Sequence, residues 1–233
     1  NNIELGELEQ KGYKFLIIGG SSGYGKSIIN FLKKNKLKVY SAGRSKLNDF
    51  KIDLSKKTSS KKIRKVCLKH KINIIIITSA TSFLDHNYPD IFNKKYQKSF
   101  YLNSFYLYDL TREIQKHKVE IKAIIAFTSE AGWSGSPKSH INYNLSKTLL
   151  NSIIFHISES KLVNCICGLD PGEARTRMNY LSKENPNKCL PMLIQVIKFM
   201  LNSPKQISGS FFHVDGRHLS FLKKSPFLKA LDL

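Results

Sequence analysis

Short runs of apolar residues alternate along the chain with longer stretches in which apolar residues recur every three or four positions. The short runs are typical of buried strands and lie at 14–18, 37–41, 50–52, 72–77, 121–127, 162–167 and 211–214. Helical spacing fills the longer stretches, one beginning at Ile28 and the others at 55–71, 93–117, 141–158 and 190–201. This alternation predicts an α/β fold, a doubly wound parallel sheet of about seven strands with helices on both faces.

Two helical stretches carry more than a simple apolar stripe. In 141–158 we expect the inward face to consist of Leu145, Leu149, Ile153 and Ile157. In 93–117 one side carries Tyr96, Phe100, Asn103, Leu107 and Leu110. The same stretch is rich in aromatic residues, namely Phe100, Tyr101, Phe105, Tyr106 and Tyr108. These exceed what one core needs, so we expect a subunit contact in a homodimer or homotetramer.

Length and hydropathy favour one domain. The 233 residues fit a single unit, 1–233, with a core at about 13–217 and a C-terminal tail at 218–233. No apolar run approaches membrane-spanning length. Residues 1–11 are polar and acidic, unlike a secretory signal, so no membrane or export role is expected.

The four cysteines do not form a recognisable framework. Cys67, Cys165, Cys167 and Cys189 lack the spacing of zinc ligands. Cys165 and Cys167 are two apart on a predicted strand and should be buried thiols on one side of it. We therefore expect a cytoplasmic protein with neither a metal site nor disulfides.

The formal net charge of +21 is the clearest anomaly of the composition. It allows nucleic-acid binding as one explanation. However, the excess is nearly all lysine, spread along predicted helix surfaces without an arginine-rich block or an aromatic platform. We therefore do not expect nucleic acid to be the main partner. The positive field would still attract an anionic cofactor or a phosphorylated substrate.

A glycine-rich turn follows the first predicted strand and opens the first helix. Gly19, Gly23 and Gly25 have the spacing Gly-x-x-x-Gly-x-Gly, one residue longer than the usual Rossmann fingerprint. Gly19 permits a sharp turn beside a pyrophosphate, and Gly25 lets the helix pack close to the strand. Free backbone N–H groups at the helix start can then bind phosphate. The expected phosphate-side residues are Gly19, Ser21, Ser22, Gly23, Tyr24 and Gly25.

Later strand ends carry residues suited to the rest of a dinucleotide. Arg44 and Ser45 follow the second strand, where an acid would select NAD and a guanidinium favours the 2′-phosphate of NADP(H). NADP(H) is therefore preferred over NAD(H), although Arg44 could also be a solvated loop residue. Asp53 and Leu54 follow the third strand, and Asp53 could bind the adenine amino group or cap the next helix. Small residues at 78–81, including Ser79 and Ala80, let a cofactor approach.

Taken in order, the motifs resemble the short-chain dehydrogenases/reductases, in their compact single-domain form, over roughly residues 13 to 217. Besides the glycine turn and the Asp53-Leu54 pair, the matching positions are Asn103, Ser129, Tyr143, Lys147, Pro171, Gly172, Thr176, Asp215 and Gly216. Three features depart from the family. Residues 78–81 replace Asn-Asn-Ala-Gly, the loop between Ser129 and Tyr143 is one residue longer, and Arg217 follows Gly216.

The resemblance implies a Rossmann-like NAD(P)(H)-dependent oxidoreductase that moves a hydride between nicotinamide and a carbonyl or secondary alcohol. Tyr143 would be the general acid in reduction and the base in oxidation. Lys147, four residues later on the same helix face, would lower the pKa of Tyr143 and hold the nicotinamide ribose. Ser129 would bind the carbonyl oxygen, and Asn103 would hold a water that links Lys147 to solvent. Pro171, Gly172 and Thr176 would lie against the nicotinamide.

The substrate is open. Trp133, Arg175 and Arg177 suggest a polar anionic metabolite such as a sugar nucleotide or sugar phosphate, whereas a hydrophobic ketone or an acyl-thioester also remains possible. The two arginines could instead contact cofactor phosphates or solvent. A second class of function also stays open, a catalytically silent cofactor-sensing or scaffold protein on the same fold.

Overall fold

A single sheet organises the computed structural model, which describes residues 8, 11–83, 93–134, 140–176, 178–215 and 218–219. The strands are β1 (Lys14–Ile18), β2 (Lys38–Gly43), β3 (Phe50–Lys51), β4 (Ile74–Ile77), β5 (Ala123–Phe127), β6 (Ile166–Asp170), β7 (Phe211–His213) and β8 (His218–Leu219). Their order is β3-β2-β1-β4-β5-β6-β7-β8. The first seven in this order are parallel, and only β8 is antiparallel. The predicted doubly wound parallel sheet is thus confirmed.

Helices cover both faces of this sheet. They are α1 (Gly23–Lys34), α2 (Ser59–His70), α3 (Lys94–Phe100), α4 (Tyr106–Lys116), α5 (Ala131–Ser134), α6 (Ile141–Glu159), α7 (Leu190–Asn202) and α8 (Pro204–Ile207). A π-helical segment, Tyr101–Phe105, joins α3 to α4, and a 3₁₀ turn, Pro186–Cys189, precedes α7. Within the described ranges, no helix has both the length and the apolar character needed to cross a membrane.

The core has two layers because the central strands are buried on both faces. Alternate residues of β1 and β4 point to opposite sides, so Leu16 and Ile75 belong to the layer under α2, α4 and α6. Phe15 and Ile74 belong to the layer under α1 and α7. Cys165 and Cys167 also lie in this second layer as buried free thiols, as predicted.

The π-helical segment changes the register of the helix that contains Asn103. A π turn holds more residues than an α turn and therefore rotates the faces on either side of it. Tyr96, Asn103, Leu107 and Leu110 are buried as predicted, but Phe100 is only half-buried. The segment directs the Asn103 amide inward, where Asn103 is 4% exposed.

Two other expectations need correction. The sixth strand is Ile166–Asp170 rather than 162–167, because Leu162 still closes the end of α6 through its N–H bond to Ile157. The inward stripe of α6 is also wrong in its first half, because Leu145 is 43% exposed and polar Ser146 and Lys147 face inward. Residues 218–219, which we assigned to the tail, pair with β7 as β8.

Lysine recurs one or two residues beyond the ends of four helices. Lys36, Lys71, Lys118 and Lys161 follow α1, α2, α4 and α6, each with φ between 50° and 58°. Glycine normally fills such left-handed positions, because a β-carbon is disfavoured there. A cation at a helix C-terminus, however, is attracted by the helix dipole. All four lysines are exposed at the edge of the sheet where the strands begin.

Candidate active site

The glycine turn is built as its spacing predicts. Gly19 has φ +102°, and a β-carbon there would lie 2.7 Å from the Ser79 backbone nitrogen. A β-carbon at Gly25 would overlap the Gly19 carbonyl and lie 2.8 Å from the Thr78 side chain. Both positions therefore require glycine, and the chain between β1 and α1 passes directly against the end of β4.

A cleft of about 610 Å³ opens above this turn, at the carboxyl ends of the strands. Most of the expected cofactor residues line it, namely Gly19, Ser21, Ser22, Gly23, Tyr24, Gly25, Arg44, Ser45, Asp53, Leu54, Ser79, Ala80 and Thr176. Sequence reasoning missed Gly43, Ser55, Lys98, Leu102 and Met178, while Thr78 belongs to the predicted stretch of small residues at 78–81. Lys98 and Leu102 could have been found, since residues four apart share a helix face.

Charged groups of both signs, Arg44, Lys98 and Asp53, meet in one part of the cleft. Asp53 accepts hydrogen bonds from the Ser55 hydroxyl at 2.8 Å and from the Ser55 N–H at 3.1 Å. Partial burial opposes ionisation, but these bonds, together with Arg44 and Lys98, hold the pKa of Asp53 below its usual value. Thr58 rather than Asp53 precedes the first turn of α2, so Asp53 does not cap that helix.

Asn103 ties three elements together. Its Oδ1 accepts from the Thr81 N–H at 2.8 Å, while its Nδ2 donates to the Thr81 carbonyl at 2.8 Å and to the Ser146 hydroxyl at 2.9 Å. The amide thus joins the segment after β4 to α6. The predicted role of Asn103 in holding a water stays a prediction.

Ser129, Tyr143 and Lys147 lie close to one another but do not themselves line the cleft; Tyr24, which lines it, interacts electrostatically with Tyr143. Ser129 follows β5, and its side chain lies near enough to Tyr143 to lower the pKa of the phenol. Lys147 lies one helical turn after Tyr143, with its Nζ 5.5 Å from the Tyr143 ring centre. The Lys147 ammonium donates to the Phe127 carbonyl at 2.7 Å and is 2% exposed.

The electrostatics differ from the sequence expectation. Burial raises the pKa of Tyr143 to about 12, against the nearby Ser129 side chain, which lowers it. The net shift of the Tyr143 pKa is therefore opposite to the expected one, because burial outweighs the groups that favour the tyrosinate. Burial lowers the pKa of Lys147 itself to about 8. Tyr143 consequently keeps its proton at neutral pH, while Lys147 can exchange one.

The segment after β6 also reaches the glycine turn. The Tyr24 hydroxyl donates to the Gly172 carbonyl at 2.8 Å, which places the predicted nicotinamide-side segment over α1. Pro171 and Gly172 do not themselves line the cleft, whereas Thr176 does.

The three residues proposed for the substrate are not brought together. Trp133 packs edge-on against Phe211, with ring centres 4.9 Å apart, at the border of the core. Arg175 is exposed, and its N–H donates to the Glu184 carbonyl at 2.8 Å. Arg177 and Gly216 lie outside the described residues.

Comparison with solved structures finds the same architecture at low sequence identity. The NADPH-bound carbonyl reductase from chicken fatty liver matches with a TM-score of 0.74 over 89% of this chain and 98% of that chain, at 16% identity. The carbonyl reductase Sniffer of D. melanogaster gives 0.71 over 89% and 99%, at 16% identity. A short chain dehydrogenase family protein from Francisella tularensis gives 0.67 over 86% and 96%, at 17% identity. No family model and no curated protein matches the sequence. The chain therefore has the fold of the short-chain dehydrogenases/reductases.

Proposed function

We propose that this protein is a short-chain dehydrogenase/reductase that uses a nicotinamide cofactor to interconvert a carbonyl and an alcohol. The observation that carries the proposal is the proximity of Ser129, Tyr143 and Lys147 to one another, near Tyr24, which lines the cleft above the glycine turn. The fold supports it, since two matching structures are carbonyl reductases, one of them bound to NADPH.

The residues present suit such a cofactor. Gly19 and Gly25 leave a cradle that a β-carbon would fill, and backbone N–H groups at the start of α1 suit a pyrophosphate. Arg44 and Asp53 lie farther along the cleft, where the adenosine would be held. When bound, the nicotinamide supplies or accepts the hydride.

The protein's own task is to hold the oxygen and move the proton. Ser129 would donate to the substrate oxygen as negative charge develops on it. Tyr143 is protonated at neutral pH because burial raises its pKa to about 12, so it is ready to donate to that oxygen during reduction. The Lys147 ammonium stabilises the tyrosinate that remains.

Replacement of the Tyr143 hydroxyl tests the proposal. Tyr143→Phe should lower kcat for NADPH-dependent reduction of a carbonyl panel by about 100-fold or more, with little change in NADPH affinity. Tyr180→Phe removes the hydroxyl of an exposed tyrosine and serves as the control. NADPH binding without turnover of any carbonyl or alcohol would favour the cofactor-sensing or scaffold alternative.

NADP(H) is the proposed cofactor, and we propose that the Arg44 guanidinium binds its 2′-phosphate. No acidic residue lies between positions 41 and 45, where a carboxylate would hydrogen-bond the free ribose hydroxyls of NAD(H). Lys98, at the same end of the cleft, adds a second cation that favours a phosphate.

Arg44→Ala should weaken NADPH about 10- to 150-fold and leave NADH nearly unchanged, since a charge-assisted hydrogen bond contributes about 1.5–3 kcal/mol. Calorimetric titration of both cofactors measures this. Arg64→Ala is the control, because Arg64 pairs with Glu113 on the helical layer away from the cleft. A wild-type preference for NADH, or an equal loss for both cofactors, would refute the assignment.

For the substrate we propose an anionic metabolite, because the exposed Arg175 stands on the loop beside Thr176. The four buried free thiols suit a reducing compartment, as a cytoplasmic enzyme requires.

A further inference from the structure

One buried amine and one buried carboxyl stand out among the described residues. Lys147 is 2% exposed and Asp170 is 3% exposed, and no other lysine, aspartate or glutamate of the described ranges is buried. Isolated charges are rarely buried, because desolvation is expensive unless an opposite charge or hydrogen bonds compensate. Because the described residues include one buried amine and one buried carboxyl, we ask whether Lys147 and Asp170 interact with each other.

The strand geometry places them on the same side of the sheet. Leu169 points into the layer under α1 and α7, so Asp170, the next residue of β6, points toward the opposite layer that contains α6. Lys147 extends from α6 to the Phe127 carbonyl at the end of β5. Phe127 is paired with Leu169, so the Asp170 Cα lies about 6 Å from the Phe127 Cα.

Asp170 has unused hydrogen-bonding capacity. Its Oδ1 accepts from the Gly172 N–H at 2.9 Å, and the Glu130 backbone N–H also favours the carboxylate, whereas the buried Oδ2 has no hydrogen bond of ordinary geometry among the described residues. The ionisable groups that interact electrostatically with Asp170 are Tyr24, Glu130, Tyr143, Lys147 and His213. His213 already pairs with Asp215 at 2.8 Å, which leaves Lys147 as the cation without a carboxylate partner of its own.

We propose that Asp170 is a positioning residue that acts through Lys147, its carboxylate keeping the Lys147 ammonium charged inside the site. The proposal deepens the proposed function and rests on it for the role of Lys147. In support, burial lowers the pKa of Lys147 to about 8, and Asp170 acts against that decrease. Without the carboxylate, Lys147 loses its proton at a lower pH and no longer stabilises a tyrosinate at Tyr143.

Asp170→Asn tests this with little change of shape, because the asparagine Oδ1 can still accept from the Gly172 N–H. The measurement is an NMR pH titration of protein carrying lysine labelled with ¹³C at Cε. The Lys147 resonance is the one that Lys147→Arg removes. We expect the titration midpoint of Lys147 to fall by about one pH unit or more. Glu130→Gln removes an exposed carboxylate nearby and should leave the midpoint in place. An unchanged midpoint in Asp170→Asn overturns the proposal.

The unmutated protein gives a second test if Asp170→Asn does not fold. As pH falls and Asp170 becomes protonated, the Lys147 resonance should show a second inflection that matches titration of the Asp170 carboxyl carbon. Its absence also overturns the proposal. Failure of the proposed function would be seen separately, as an absence of NADPH binding by the unmutated protein in a fluorescence titration. The NMR titration of Lys147 does not need NADPH and can still be measured in that case.

Discussion

At the scale of single residues, Lys147 shows a conflict between stability and chemistry. Its ammonium is buried with the Phe127 carbonyl as its hydrogen-bond acceptor, which favours loss of the proton. The proposed reaction, however, needs a positive charge at this place. Such a conflict is typical of functional sites, which retain groups that a purely structural core would replace.

In the Asp170→Asn background, where no buried carboxylate is left without its cation, Lys147→Met should therefore stabilise the protein while abolishing activity. The folded-state pKa of about 8 lies below the ordinary value of 10.5, so the cost of the buried charge is full below about pH 8 and disappears as pH rises toward 10.5. We expect a gain of about 1–3 kcal/mol at pH 7 that shrinks by pH 9.5. Urea unfolding at both pH values measures it, with exposed Lys26→Met as the control. A less stable Lys147→Met in this background at pH 7 would contradict this reasoning.

Sequence reasoning identified the residues of the site better than their electrostatics. Tyr143 and Lys147 were found because the ordered motifs resemble the short-chain dehydrogenases/reductases, and helical spacing places the two residues on one face. The direction of the Tyr143 pKa shift was missed, since it depends on how tightly the phenol is packed. Asp170 was passed over because its burial follows from the pairing of β5 with β6, a contact that the local sequence does not reveal.

At the scale of elements, the turn between β1 and α1 sets the position of the cleft. Its conformation depends on the close approach of Gly19, Gly25 and Thr78, which leaves no room for an added side chain at the helix start. The N–H groups that we propose bind phosphate and the packing of α1 on the sheet therefore depend on the same atoms.

Gly25→Ala should damage stability and cofactor binding together. The new methyl group overlaps the Gly19 carbonyl, and overpacking of this kind costs about 1–3 kcal/mol. We expect a lower melting temperature and a loss of NADPH affinity. Lys26→Ala changes the neighbouring exposed residue of α1 and should do neither. Unchanged NADPH affinity in Gly25→Ala would mean that the turn does not hold the cofactor.

The elements were predictable wherever the apolar pattern was regular. The strand at 14–18 was placed correctly because every position is apolar or borders the core. The sixth strand was misplaced, because Gly168 and Asp170 do not continue an apolar run although both are buried. The π-helical segment had no sequence signal that we recognised, since its extra residue is accommodated by packing around Asn103.

At the scale of the whole molecule, the helices around the site leave apolar surface uncovered. Of the five aromatic residues that suggested a subunit contact, Tyr106 belongs to the core, and the Tyr101 hydroxyl donates to Asp109. Phe105 remains 46% exposed, and Leu145 and Phe155 of α6 are 43% and 44% exposed. This surface supports the expectation of a homo-oligomer.

Leu145→Glu should reduce the assembly. A charge placed in an apolar contact between copies opposes association, so we expect a smaller species by multi-angle light scattering. Leu68→Glu, on α2, alters a leucine that is 49% exposed away from α6 and should leave the mass unchanged. A monomeric wild-type protein at micromolar concentration would rule out the proposed assembly.

The four lysines with positive φ lie together at one end of the molecule. Lys36, Lys71, Lys118 and Lys161 stand where the strands begin, whereas the cleft, lined by Arg44, Asp53 and Lys98, lies where they end. These four exposed lysines therefore lie at the edge of the sheet opposite the mouth of the cleft. If a cation-exchange bead binds the protein through this lysine-bearing edge, the mouth of the cleft faces the solution. Adsorbed molecules should then take up NADPH as freely as dissolved ones, a property that suits this chain to immobilisation without a tag.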